Sequence, residues 1–230
     1  MKADTRRSGF SLAQLIVAIA IVCTLVALLL PAVNHSVSVA KQASCASNLR
    51  QIHNAILQYT GDHNGYLPAY SEVAPNKPNL YWISKIKPYL GQPVTGTWDD
   101  NDPVPLKLFR CPGDPRPPTA GSYSSDASLD GSYGLCGLNG LLWGVWPFPD
   151  GSPRNNSHTG FPQSSVIQPA HTAMLFDHDL IFASGPDQLR KSTYAFRHNN
   201  RINVLFFDGH LETVLKGTVP DGSAVFWKGN

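Results

Sequence analysis

The sequence predicts an α+β fold, with one long N-terminal helix packed on a C-terminal antiparallel β-sheet and long Pro- and Gly-rich loops between them. Three observations predict it. Residues 12–30 are almost unbroken apolar sequence. An apolar stripe at helical spacing follows from Cys45 to Tyr59, and the last third of the chain holds short apolar runs punctuated by Asp208-Gly209.

The first element is set by what it lacks. No Asp, Glu, Lys or Arg occurs between Arg7 and Lys41, and Gln14 is the one strongly polar interruption before Leu30. A helix of about 20 residues crosses the ~30 Å hydrocarbon layer. The flank before it carries Lys2, Arg6 and Arg7 against Asp4. By the positive-inside rule the N-terminus stays cytoplasmic and the chain after about residue 33 lies across the membrane. An uncleaved anchor and a cleaved signal peptide, with Ser38-Val39-Ala40 as the cleavage site, are both open readings. The apolar run is long for a signal peptide, whose core is ~7–15 residues.

The helix continues beyond the membrane. Cys45, Leu49, Ile52, Ile56 and Tyr59 form one stripe, with Asn48, Arg50, Gln51, Asn54 and Gln58 on the other faces. Gly61 is the expected stop. A helix from Phe10 to Thr60 is a rod of roughly 75 Å by the 1.5 Å rise.

Residues 61–165 are expected to be loops. Gly61 to Pro68 is turn chemistry. The many prolines of residues 71–120 forbid long helices and central strands, which leaves room for a short helix over 81–90. Asp126, Ser128 and Asp130 make the opening of a calcium loop, but Gly137 stands where its bidentate Glu belongs. No cofactor is therefore expected, with calcium at these three residues as the alternative. The segment around Trp143 and Trp146 is unusually aromatic, and is either a loop packed over the sheet or an exposed patch for a protein or glycan.

Residues 166–230 read as sheet. Thr172–Phe176 is a short strand. Residues 202–207 and 210–215 make a hairpin around Asp208-Gly209 as a two-residue type I′ turn. That register pairs Val204 with Thr213 and Ile202 with Leu215. It puts Ile202, Val204, Phe206, Leu211 and Leu215 on one face, expected to lie on the helix.

Several stretches resemble one family. Arg6-Arg7-Ser8-Gly9-Phe10-Ser11-Leu12 resembles the processing site of type IV prepilins and type II secretion pseudopilins. Pro31 stands where many of their helices kink. Ser44–Ile52 resembles the CxxNLxQI stretch, and Leu108–Asp114 the FxCPxD motif, of a prepilin-like subgroup. Gly131–Leu135 resembles that subgroup's SYGxN stretch. His198, ten residues before Asp208-Gly209, matches the subgroup's closing H-x9-DG.

The resemblance implies a structural subunit of a type II secretion-like or type IV pilus-like filament. A prepilin peptidase would cut between Gly9 and Phe10, and Phe10 would be N-methylated. Residues 1–9 would be a cytoplasmic leader, 10–33 the inner-membrane half of the helix, and 34–230 a periplasmic pilin-like domain. Its partners would be the membrane, the peptidase and other pilin or pseudopilin subunits. Gln14 occupies the position where the family has Glu, the partner of a neighbouring subunit's N-terminal amine. Gln cannot neutralise that charge, so a minor or tip position suits this chain better than the filament shaft. A disulfide between Cys45 and Cys111 is likewise implied, since both motifs carry a Cys.

Other classes fare worse. Charge is +2 overall with 15% charged residues, against a nucleic-acid binder, which carries a basic patch. Cys45, Cys111 and Cys136 would lie in an oxidising space, with at most one pair among them. There is no GxSxG, HExxH or phosphate loop, so no enzyme is expected. Two alternatives stand. One is a membrane-tethered binding module using Trp143 and Trp146. The other is a tethered metallohydrolase using Asp177, His178, Asp179, His198, Asp208 and His210.

Overall fold

A computed structural model describes residues 12–68, 71–72, 80–91, 107–115, 133–136, 162–178, 182–183, 186–192 and 194–221. The chain forms two units, residues 1–40 and 41–230.

Helix α1 (Leu12–Asp62) contributes to both and carries Pro31 inside it. Within the first unit its large apolar side chains, from Leu12 to Val39, are exposed. A helix that is apolar on every face finds its proper solvent in lipid. Among the described residues it is the one helix long and apolar enough to cross a membrane, by length and composition.

In the second unit α1 buries Cys45, Leu49, Ile52, His53, Ala55, Ile56 and Thr60. The stripe is wider than the spacing suggests, because His53 and Ala55 join it. Tyr59 lies at its edge, stacked on His63 with ring centroids 3.7 Å apart. Gly61 does not end the helix. Asn64 does, at φ 54°. The Gly65 N–H donates to the Thr60 carbonyl at 2.9 Å, which is the 6→1 bond of a Schellman cap.

Short elements follow: β1 (Ser71–Glu72) paired antiparallel with β2 (Leu80–Tyr81), then α2 (Trp82–Ile86). A 3-10 turn, Lys87–Leu90, extends α2 and is capped by left-handed Gly91. Trp82 is fully buried and meets Phe109 edge-on at 6.1 Å.

Among the described residues the main sheet has five strands: β3 (Tyr133–Cys136), β4 (Ala173–Asp177), β5 (Phe182–Ala183), β6 (Arg201–Phe206) and β7 (Leu211–Leu215), with α3 (Pro186–Lys191) between β5 and β6. Their order is β5-β3-β4-β6-β7. β5 runs parallel to β3 and every other pairing is antiparallel. An antiparallel sheet confined to residues 166–230 is thus corrected at two points. β3 comes from the segment expected to be loop, and β5 is parallel to it. Four residues in a Gly- and Ser-rich stretch are too few to show an alternating pattern.

The β6–β7 register is also corrected. Val204 faces Glu212, Ile202 faces Val214, and Leu205 faces Leu211. Each pairing differs by one residue from the type I′ expectation, because the loop has three residues, Phe207-Asp208-Gly209. The Gly209 N–H donates to the Phe206 carbonyl, and the Phe206 N–H to the His210 carbonyl, both at 3.0 Å. Gly209 alone takes a positive φ, of 89°. A type I turn followed by a left-handed Gly bulge has this form, and it spares Asp208 the positive φ that type I′ demands. A one-residue slip exchanges the faces of β7 relative to β6. Leu211 now shares a face with Asn203 and Leu205, while Leu215 is exposed opposite Arg201. The side toward α1 is that of Asn203 and Thr213, since the Gln42 amide reaches Asn203 Oδ1 at 3.4 Å and Thr213 Oγ1 at 3.2 Å. Ile202, Val204 and Phe206 occupy the other side and are buried as well, so β6 is covered on both faces.

The type I′ turn lies one strand earlier. Asn199 and Asn200 have φ of 52° and 63°. His198 and Arg201 exchange backbone hydrogen bonds across them, at 3.3 and 3.1 Å. Asn tolerates this region better than other residues with a Cβ. The Asn-Asn pair therefore fixes where His198 enters β6.

Candidate functional site: a buried cluster under the helix

Four segments meet where α1 crosses the sheet. α1 supplies Cys45, the 107–115 segment supplies Cys111, Gly113 and Asp114, the end of β4 supplies Asp177, and the turn before β6 supplies Arg197 and His198. Cys45 and Cys111 are joined by a disulfide with Cα atoms 5.0 Å apart. A turn holds Cys111 in place, as the Asp114 N–H donates to its carbonyl at 2.9 Å. The Gly113 N–H donates to Cys111 Sγ at 3.3 Å. A Cβ on Gly113 would lie 2.9 Å from His198 Cε1, so the imidazole occupies the space a side chain would take.

His198 Nε2 stands 3.3 Å from Cys111 Sγ and 3.5 Å from Asp177 Oδ2. Asp177 is fully buried. Its Oδ2 accepts the Asn203 backbone N–H at 2.7 Å, and its Oδ1 has no hydrogen-bond partner among the described residues. Beside it Arg197 donates to Asp114 at 2.8 Å, with both side chains buried. Arg197 also donates to the His178 carbonyl at 2.9 Å. Such a bidirectional clamp uses the fixed fork of a guanidinium.

Burial dominates the titration here. It pushes the Asp177 carboxyl up to about 7, against the opposing pull of Arg197 and the Asn203 hydrogen bonds. Burial, helped by the Arg197 charge, pulls His198 down to about 4. The imidazole is therefore neutral at neutral pH. Cys45, Cys111, Asp177 and His198 each point one metal-ligating atom into this space, all within 4.8 Å of one another. The closed disulfide occupies both sulfurs.

The structure divides the residues singled out in the sequence. Cys45, Cys111 and His198 come together. Asp208 and Gly209 sit at the other end of β6. There Gly209 lies against His53, 3.1 Å from Cε1 to where its Cβ would be. Asp208 pairs with His210, whose ring stacks on Phe206 at 4.3 Å. The His/Asp group expected of a metallohydrolase is thereby split, with Asp177, His178 and His198 buried at one end and Asp208 with His210 at the other. Gln14 lies on the exposed first part of α1. Gly9, Phe10, Asp126, Ser128, Asp130, Trp143, Trp146 and Asp179 lie outside the described residues.

Sequence reasoning passed over Gly113, Asp114, Arg197 and Asn203. Asp114 closes the FxCPxD-like stretch, and Arg197 precedes His198, so proximity to those motifs was the available signal. Compared with protein-family models, curated proteins and solved structures, the chain has no match.

Proposed function

We propose that this chain is a pilin-like structural subunit, anchored in the inner membrane by α1 and assembled into a type II secretion-like or type IV pilus-like filament through it. The observation that supports the reading most is α1 itself. Its first part is apolar and exposed over its whole surface, and its second part carries a buried stripe against a sheet. Pro31 inside the apolar part and the Gly9-Phe10 junction before it agree with a subunit cut on the cytoplasmic side and kept in the bilayer until assembly. The chemistry is then done to this protein by a prepilin peptidase. The buried cluster ties the second part of α1 to the sheet within residues 41–230.

N-terminal mass spectrometry of the membrane-bound protein tests this. The expected N-terminus is Phe10, carrying one added methyl group. An intact Met1, or a chain beginning at Lys41, overturns the proposal.

A further inference from the structure

We propose that the Cys45–Cys111 disulfide covers a latent metal site, and that the reduced chain binds one divalent zinc-class cation through Cys45, Cys111, His198 and Asp177. This does not rest on the filament reading.

The donor set is the first argument. Two sulfurs, one imidazole and one carboxylate are the ligands tetrahedral Zn2+ takes, with Zn–S near 2.3 Å and Zn–N and Zn–O near 2.0–2.2 Å. Such bond lengths put neighbouring donors roughly 3.3–3.8 Å apart. His198 Nε2 already stands 3.3 Å from Cys111 Sγ and 3.5 Å from Asp177 Oδ2. Two edges of the tetrahedron are thus in place, and opening the disulfide lets the sulfurs separate toward a third.

The surroundings are the second argument. All four donors are buried, as in a closed structural site. Asp177 Oδ1 is buried without a hydrogen-bond partner among the described residues, a cost that a cation would offset. The Gly113 N–H aimed at Cys111 Sγ supports a thiolate, and outer-shell donors of this sort orient metal ligands.

The balance is simple. A dithiol opens the bond by exchange. It delivers two electrons and two protons and leaves as its own disulfide. The metal then displaces the two thiol protons to solvent.

The test uses the full-length protein in detergent, reduced without oxygen by a water-soluble phosphine and freed of it. Cobalt(II) is the probe. The expected result is one Co2+ per reduced chain, with the visible bands of a tetrahedral site and thiolate-to-cobalt charge transfer. The oxidised protein should show neither. Asp177→Asn and His198→Gln should each weaken Co2+ binding at least about tenfold, and Cys45→Ser should cut the charge-transfer band to about half or less, since only the Cys111 thiolate remains. Circular dichroism follows the fold throughout. Should reduction unfold the chain, Co2+ is expected to restore its secondary structure. Failure of the reduced chain to bind Co2+, or to refold with it, overturns the proposal. So does binding that survives unchanged in both Asp177→Asn and His198→Gln, which marks an unstructured dithiol.

Discussion

Gly113 has no side chain, and His198 fills the space one would need. Gly113→Ala brings a methyl group to 2.9 Å from the imidazole, closer than packed carbons tolerate. The neighbour is a ring held by Cys111 and Asp177, so relief means moving the cluster. The expected cost is about 1–3 kcal/mol, the range for overpacking. It should shrink in a His198→Ala background, a coupling that urea denaturation of the four proteins of a double-mutant cycle measures. Arg197 is a different case. Its removal leaves Asp114 buried and charged, and breaking a buried pair from one side costs about 3–5 kcal/mol. Arg197→Ala should therefore be among the most damaging single changes in the folded unit. His53 adds a pH dependence. Burial holds its pKa below 6.5, more than the Phe207 backbone and Asp208 raise it. The unfolded chain then takes up a proton at higher pH than the folded one does. The His53 contribution to stability should be level above about pH 7 and fall as pH drops through 6.5 toward the lower folded value, beside a like contribution from His198 and an opposite one from Asp177. His53→Gln should remove its share of the slope in denaturant titrations run at pH 5.5 and 7.5, leaving the shares of His198 and Asp177. An unaltered slope assigns the effect to another group.

Turns decide how the elements meet, and two Asn residues carry one of them. Asn199 and Asn200 both hold left-handed backbone, which costs most residues roughly 1–2 kcal/mol each. Asn199→Ala with Asn200→Ala should destabilise by about 2–4 kcal/mol, while the Gly-Gly variant should lie near wild type. Thermal melts of the two variants separate backbone strain from lost side-chain bonds. The same chemistry shows what the sequence made legible. The stripe from Cys45 to Ile56 identified both the helix and its buried face, because a 3.6-residue period survives wherever a helix packs on one side. The strands of residues 202–206 and 211–215 were legible as a hairpin because Asp208-Gly209 separates two short apolar runs. Their register was not, because Asp-Gly fits both a two-residue type I′ turn and a three-residue turn with a Gly bulge. The choice falls on packing. β6 is buried on both faces, so its apolar pattern does not say which face meets α1. Most of the cluster was hidden in the same way. Cys111 and His198 stood in stretches singled out for their resemblance to family motifs, but Asp177 and Arg197 reach them only through strand pairing and the Asn-Asn turn. Residues from four segments leave no spacing to read.

The two units of the chain differ in how their apolar residues are covered. In the folded unit, apolar side chains from α1 and β6 are removed from water by the sheet and its neighbours. In the first unit the apolar residues of α1 are exposed, over a length and composition that could span a bilayer. A charge placed at the middle of the apolar run tests this, since its cost depends on the surroundings. Ile21 is central to residues 12–30. In water an exposed helical Ile21→Arg is nearly neutral, as most surface changes are within about 0.5 kcal/mol. At the centre of a membrane span, Arg costs roughly 2.5–3.5 kcal/mol on insertion scales. Ile21→Arg should thus shift a measurable share of the protein out of the alkali-resistant membrane fraction, while Ile21→Leu should not. The folded unit should keep its melting temperature in both, because none of its buried residues precedes Cys45. Equal membrane retention of Ile21→Arg and wild type would place this helix in a protein interface or in water instead, and would remove the physical ground for an anchored subunit.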